Sequence, residues 1–274
     1  MLHPERDART LRLNGDTGLI KVVACLCMLS DHLGKMIFPN ALYISVSGPW
    51  AFLLPSGSLL RIIGRLAMPM FCYCIAVGCA YSRNVWKYAL RLLLMGVLVH
   101  PLYMAAMGHV KLGTFDWAHN FYRIDLLINH YLLPYPSILF SLFAGILVIW
   151  TIRERQYALT GVLLAICWYL DGCLDFGIKG ILLMVLFYAL LERPLASFLW
   201  AALFMCWWGG PSLRTLAGIR SVLSGGALTV YTQFYAVLAL PLIYLPLRTG
   251  IRVPKYVSYL FYPAHLALIY LLTM

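Results

Sequence analysis

Apolar positions along this chain come in long runs and do not alternate with polar ones. The runs cover residues 18–38, 58–80, 86–107, 135–152, 157–171, 177–191, 195–209, 226–247 and 255–273. A helix needs about 20 mostly apolar residues to cross a bilayer. The pattern therefore predicts an all-α, polytopic integral membrane protein with about nine transmembrane helices. Several later runs are near 15 residues, which leaves eight or ten open. Residues 1–17 read as a short cytoplasmic tail and 18–274 as a single transmembrane helical domain. The segment 41–55 is apolar but short and carries Pro49 and Pro55, so it reads as interfacial or re-entrant. No internal repeat stands out.

Composition agrees with this pattern. The 274 residues are 62% hydrophobic and 11% charged, with a mean hydropathy of +0.83. A soluble domain carries about 25% charged residues, so lipid is the solvent for most of this chain and the lipid bilayer its first partner. The net charge of +11 is then a topology signal and not a mark of nucleic-acid binding. Of 21 basic residues, 13 fall in alternate loops: Arg6, Arg9, Arg12, Lys21; Arg83, Lys87, Arg91; Arg153, Arg155; Arg193; Arg248, Arg252, Lys255. Nine spans with a cytoplasmic N-terminus and an external C-terminus satisfy that alternation, and Arg214 and Arg220 on the outer side fit it least. The first run is too long for a cleavable signal peptide, and no small-residue cleavage site follows it.

Of the eight cysteines, Cys25, Cys27, Cys72, Cys74, Cys79 and Cys167 lie inside apolar runs. The C-x-C pairs point their thiols to different helix faces, which suits packing better than metal binding. Cys173 and Cys206 lie nearer a polar surface.

Charge inside a lipid-embedded helix costs about 2.5–3.5 kcal/mol at its centre and marks a functional site by default. The first span holds Asp31, His32 and Lys35. Asp31 and Lys35 are four apart and can pair on one face. His32 sits about 100° around the helix from Asp31. The second span holds Arg61 and Arg65, like charges on one face. They call for an anion, either a carboxylate from another helix or a group on a ligand. Gly64 allows close helix approach, and Pro69 can kink the span. By topology these groups, with His100 at the end of the third span and Asp171, Asp175 and Lys179 in an outer turn, come to similar depth. His265 comes from the middle of the last span. One shared polar cavity is the economical expectation.

A histidine beside a carboxylate and facing basic groups suits general-base catalysis on a weak nucleophile, with cationic donors stabilising an oxyanion. The same groups suit a proton relay in a transporter. No phosphate-binding Gly-rich loop, zinc spacing or G-x-S-x-G elbow is present.

Three elements carry a resemblance. They are D-H-x-G at Asp31-His32-Leu33-Gly34, R-x-x-G-R-x-x-x-P from Arg61 through Gly64 and Arg65 to Pro69, and Y-P-x-H-L at Tyr262-Pro263-Ala264-His265-Leu266. With Lys87-Tyr88, Arg91 and the turn from Leu174 through Asp175 and Gly177 to Gly180, they resemble the TraX family from about residue 18 to the C-terminus. The chain departs from the family pattern at His100, where many relatives carry an acidic residue before the proline. The resemblance implies an acetyltransferase of the bacterial inner membrane that moves acetyl from acetyl-CoA to the N-terminal amine of a conjugative pilin. Asp31, His32, Arg61, Arg65, Asp175 and His265 match the family pattern by position, and the reading is His32 as general base, Asp31 or Asp175 orienting it, His265 as a second proton-transfer or positioning group, and Arg61 and Arg65 holding the donor or stabilising developing negative charge. The rival readings are a small-solute or proton-coupled transporter and an acyltransferase acting on a cell-envelope glycan.

Overall fold

The computed structural model describes residues 17–39, 43–44, 57–109, 136–210, 215–224, 231–245, 251 and 253–273. Among these, helices follow the apolar runs closely: α1 Thr17–Met36, α2 Leu59–Gly64, α3 Ala67–Tyr81, α4 Val85–Ala106, α5 Ile138–Arg153, α6 Tyr157–Tyr169, α7 Gly177–Ala189, α8 Pro194–Gly209, α9 Leu216–Leu223, α10 Ala239–Tyr244 and α11 Lys255–Thr273. Two-residue strands, β1 Tyr43–Ile44 and β2 Gly57–Ser58, pair antiparallel. The rest of the segment predicted to be re-entrant lies outside the described residues, as do the basic residues Arg6, Arg9, Arg12, Arg214, Arg248 and Arg252.

This is a helical membrane protein. Among the described residues three stretches, Thr17–Met36, Leu59–Tyr81 and Val85–Ala106, are long and apolar enough to cross a bilayer. Six shorter apolar helices follow. In the run expected at 226–247 the described residues begin at 231, and there a 3-10 segment, Thr232–Leu238, leads into α10. The second run is interrupted. Pro69 has no N–H, and its ring crowds the Arg65 carbonyl four residues back. The helix tightens there, with Leu66 N–H donating to Ile63 O, and restarts at Ala67.

The chain forms two compact units. One contains the described residues of 17–74 and 189–253. Within it α1 packs on α2, and α8 packs on the 3-10 segment, which also meets α2. Helix α8 shows how lipid replaces water as solvent. Its inner face is Ser197, Ala201, Met205 and Trp208, and its outer face, Leu195, Leu199 and Leu203, is equally apolar and exposed. A helix apolar all round is one that faces protein on one side and lipid on the other.

The other unit contains the described residues of 75–188 and 254–273, where α4 packs on α5 and α11, and α5 on α6. Asn84 caps α4 by accepting from Lys87 N–H at 2.9 Å, which satisfies one of the orphan donors of the first turn. The last carbonyls of α3 are satisfied from elsewhere: Arg153 donates to Cys79 O at 2.9 Å and to Ser82 O at 2.8 Å. A basic side chain that sequence reads as a topology marker thus also closes a helix end. Thr160 donates to Thr151 across the α5–α6 turn at 2.9 Å. None of the eight cysteines, all of them among the described residues, is in a disulfide, and Cys27, Cys72, Cys74, Cys79 and Cys167 are buried as packing residues.

Candidate functional site

In the first unit, α1 brings Asp31 against the two arginines of the second span. Arg61 Nη1 lies 2.8 Å from Asp31 Oδ2, and Arg65 Nη2 lies 2.6 Å from Oδ1. The anion demanded by two guanidiniums on one face is a carboxylate from the neighbouring helix. Both Asp31 oxygens are held by arginines, while Lys35 is exposed. The alternative of a local Asp31–Lys35 pair is therefore not the one formed. Asp31 and Arg65 are each 16% exposed and Arg61 33%, so the cluster sits in a partly desolvated setting where charge-assisted bonds are strong.

Small residues make this approach possible. A Cβ on Gly64 would lie 2.7 Å from Asp31 Cγ and nearer still to Cβ and Oδ1; one on Gly34 would lie 2.7 Å from Leu60 Cβ. Glycines at these positions let the backbones of α1 and α2 meet, as small residues do between membrane helices. Ser30 donates to Leu60 O at 3.1 Å, adding a polar tie one residue from Asp31. His32, next in the chain, is half-buried.

In the other unit, His265 on α11 is 4% exposed. Its Nδ1 lies 2.8 Å from Phe261 O. A carbonyl only accepts, so Nδ1 carries the proton and Nε2 is the acceptor of the neutral ring. The ring stacks on Phe261 and meets Tyr262 edge-on, with centroids 5.1 and 5.4 Å apart. Asp175 lies in the turn before α7, and its carbonyl accepts from Ser141 at 2.8 Å. Tyr262 shares a side-chain hydrogen bond with Ser137, and Asp175 and Tyr103 lie near enough to interact with it electrostatically. His100 is buried, stacked on Tyr103 and edge-on to Phe140. Asp171 is structural, because its Oδ1 accepts from Ile178 N–H at 2.6 Å at the start of α7. Gly177 has φ +57 there, and a Cβ would strike Asp171 Oδ1; only glycine takes that conformation without strain.

Tyr262, Ser137 and Tyr103 do not stand out in the sequence as site residues. Tyr262 has a signal, because it lies three residues before His265, on the same helix face. Ser137 and Tyr103 have none, since their meeting depends on how α4, α5 and α11 pack. Among the described residues no three His, Cys, Asp or Glu side chains gather as a metal site.

The family model for TraX protein matches residues 16–273. The chain belongs to the TraX family. The TraX match spans both units and takes in the Asp31–Arg61–Arg65 cluster as well as His265 and Asp175. The chain is 27% identical over 259 residues to a Dichelobacter nodosus protein named "Probable fimbrial assembly protein FimC, serogroup H1", covering 91% of this chain and 92% of that one. No solved structure matches.

Proposed function

We propose that this TraX-family protein is a membrane-embedded acetyltransferase, moving acetyl from acetyl-CoA to an amine, with the N-terminus of a pilin subunit as acceptor. The observation that carries this reading is the arginine pair bridged by Asp31 beside His32. Planar guanidinium forks suit phosphate oxygens, so Arg61 and Arg65 are the proposed contacts of a phosphate-bearing donor. The "fimbrial assembly" name of the Dichelobacter nodosus relative and TraX membership supply the pilus connection. The bacterial inner membrane, with the N-terminus in the cytoplasm, is the proposed location.

In this reading His32 accepts the proton of the attacking amine as nitrogen bonds to the thioester carbonyl carbon. Arg61 or Arg65 stabilises the tetrahedral oxyanion. The carbon–sulfur bond then breaks, and the imidazolium returns its proton to the leaving thiolate. Asp31 positions the guanidiniums. His265 and Asp175 are the proposed proton-handling groups of the other unit. The test is transfer of label from acetyl-CoA to a pilin N-terminal peptide by the purified protein and by His32→Ala and His32→Gln. Both variants should lose about 10²–10⁴ in turnover, the span of general acid–base catalysis. Full activity in both refutes the assignment of the base.

The break after α2 supports a second reading, because interrupted helices line solute paths in transporters. Proteoliposomes that accumulate a solute without covalent transfer would favour it.

A further inference from the structure

Arg214 and Arg220 fit the alternation of basic loops least, and they are the only charged residues of the sequence between 210 and 230. Arg220 lies on α9, beside a row of apolar side chains. Leu216, Ile219 and Leu223 fall at i, i+3 and i+7, one helix face, and are 87%, 36% and 82% exposed. The helix is closed by its own neighbours: Thr215 Oγ1 accepts from Gly218 N–H at 3.1 Å, and Ser224 N–H donates to Arg220 O at 3.0 Å. Its eight residues are fewer than the roughly 12–15 a helix needs to persist in water by itself. So α9 requires a surface to lie on.

The chain places that surface. On α8 the exposed row Leu195, Leu199, Leu203 continues at the same spacing to Trp207, 39% exposed. A tryptophan at the end of a lipid-facing row marks the level of the headgroups. Two residues on, Gly209 O accepts from Tyr231 N–H at 2.8 Å. The segment 210–230 therefore leaves and returns at one point beside the headgroups. Thr215 is six residues from Gly209 and Ser224 seven from Tyr231, so neither end of α9 can lie more than about 20–25 Å from that point. The bilayer surface is within reach from both ends, and an arginine-bearing segment without an acid suits anionic headgroups. Arg220 sits one turn from Leu216, at the edge of the apolar face. There its stem can lie with the leucines while its guanidinium reaches a phosphate.

The structure assigns α9 to the bilayer surface as an interfacial anchor for anionic lipid, with Leu216, Ile219 and Leu223 among the acyl chains and Arg220 on a headgroup phosphate. None of the groups assigned to acetyl transfer takes part, so the anchor stands or falls separately. The test is trypsin cleavage after Arg220 in the full-length protein, held in nanodiscs of phosphatidylglycerol or of phosphatidylcholine and followed by mass spectrometry. Leu216→Gln with Leu223→Gln is the comparison chain, because both side chains are exposed and their loss should leave the unfolding midpoint unchanged. In phosphatidylglycerol the wild type should be cut at least about fivefold more slowly than the double variant, the gain that one arginine brings at an anionic surface. In phosphatidylcholine that ratio should fall to about half or less. Taking the ratio within each lipid removes any attraction of trypsin itself to the membrane. If the double variant fails to fold, Leu216→Gln alone takes its place. Equal cleavage of wild type and variant in phosphatidylglycerol overturns the anchor. The same ratio in both lipids marks a protein occupant, such as a second copy of the chain, and overturns the assignment to anionic lipid.

Discussion

Replacing Gly64 by alanine tests the α1–α2 contact with the smallest possible change. The added Cβ would lie 2.7 Å from Asp31 Cγ, and ordinary contact begins at 3.4 Å. Asp31 must therefore retreat by at least about 0.7 Å. That displacement takes the 2.8 Å Arg61–Asp31 bond to the 3.5 Å limit of a hydrogen bond and strains the Arg65 bond as well. The atoms in the way are close to the α1 backbone, so rotamer change cannot relieve the overlap. Overpacking of this kind costs about 1–3 kcal/mol, while glycine-to-alanine in a helix returns about 1 kcal/mol. Gly161→Ala in α6 is the matched control, because a Cβ there meets nothing within 4 Å. The helix-propensity gain is common to both, so their difference isolates the packing cost. Unfolding midpoints of the two variants, measured side by side in detergent, should differ by the equivalent of about 1–3 kcal/mol, with Gly64→Ala the less stable. Equal midpoints would refute the close approach of α1 and α2, and with it the bridged arginine pair.

Three further outcomes follow from the same structure. Arg65→Ala should raise the acetyl-CoA KM, and Arg65→Lys should restore it only partly because a point charge lacks the planar fork; unchanged KM in both would make the pair structural. Asp171→Ala removes the acceptor for Ile178 N–H and should cost about 0.5–2 kcal/mol, read as a lower unfolding midpoint with KM unaffected. Reporter fusions at Arg155 and after Met274 should land on opposite sides of the membrane, as the alternation of basic loops requires; the same side for both contradicts nine spans.

Much of the helical layout was legible because a lipid solvent leaves a coarse signal: runs of apolar residues with charges between them. The predicted run 86–107 meets α4 at Val85–Ala106, and 195–209 meets α8 at Pro194–Gly209. The break at Arg65–Leu66 was half-visible, since Pro69 announces a disturbance but not its position. The demand of Arg61 and Arg65 for an anion was legible from their spacing. Which carboxylate answers it was not, because Lys35 competes for Asp31 on α1 by sequence alone and only the glycine-mediated contact with α2 decides. Asp171 and Asp175 look alike in the sequence. One completes a helix start and the other neighbours Tyr262, a division set by the positive φ values at Phe176 and Gly177. The Tyr262–Ser137 neighbourhood joins residues 125 positions apart, beyond the reach of any local pattern.

Acetyl transfer itself is the central claim, and the most direct measurement is the fate of labelled acetyl-CoA. Purified protein is incubated with acetyl-CoA labelled in the acetyl group and a peptide bearing a pilin N-terminus, and the peptide is sequenced by mass spectrometry. Label should appear on the α-amine, dependent on His32 and absent when the peptide's N-terminus is already blocked. An unlabelled peptide, from protein shown to be folded by its unfolding transition, would contradict acetyl transfer.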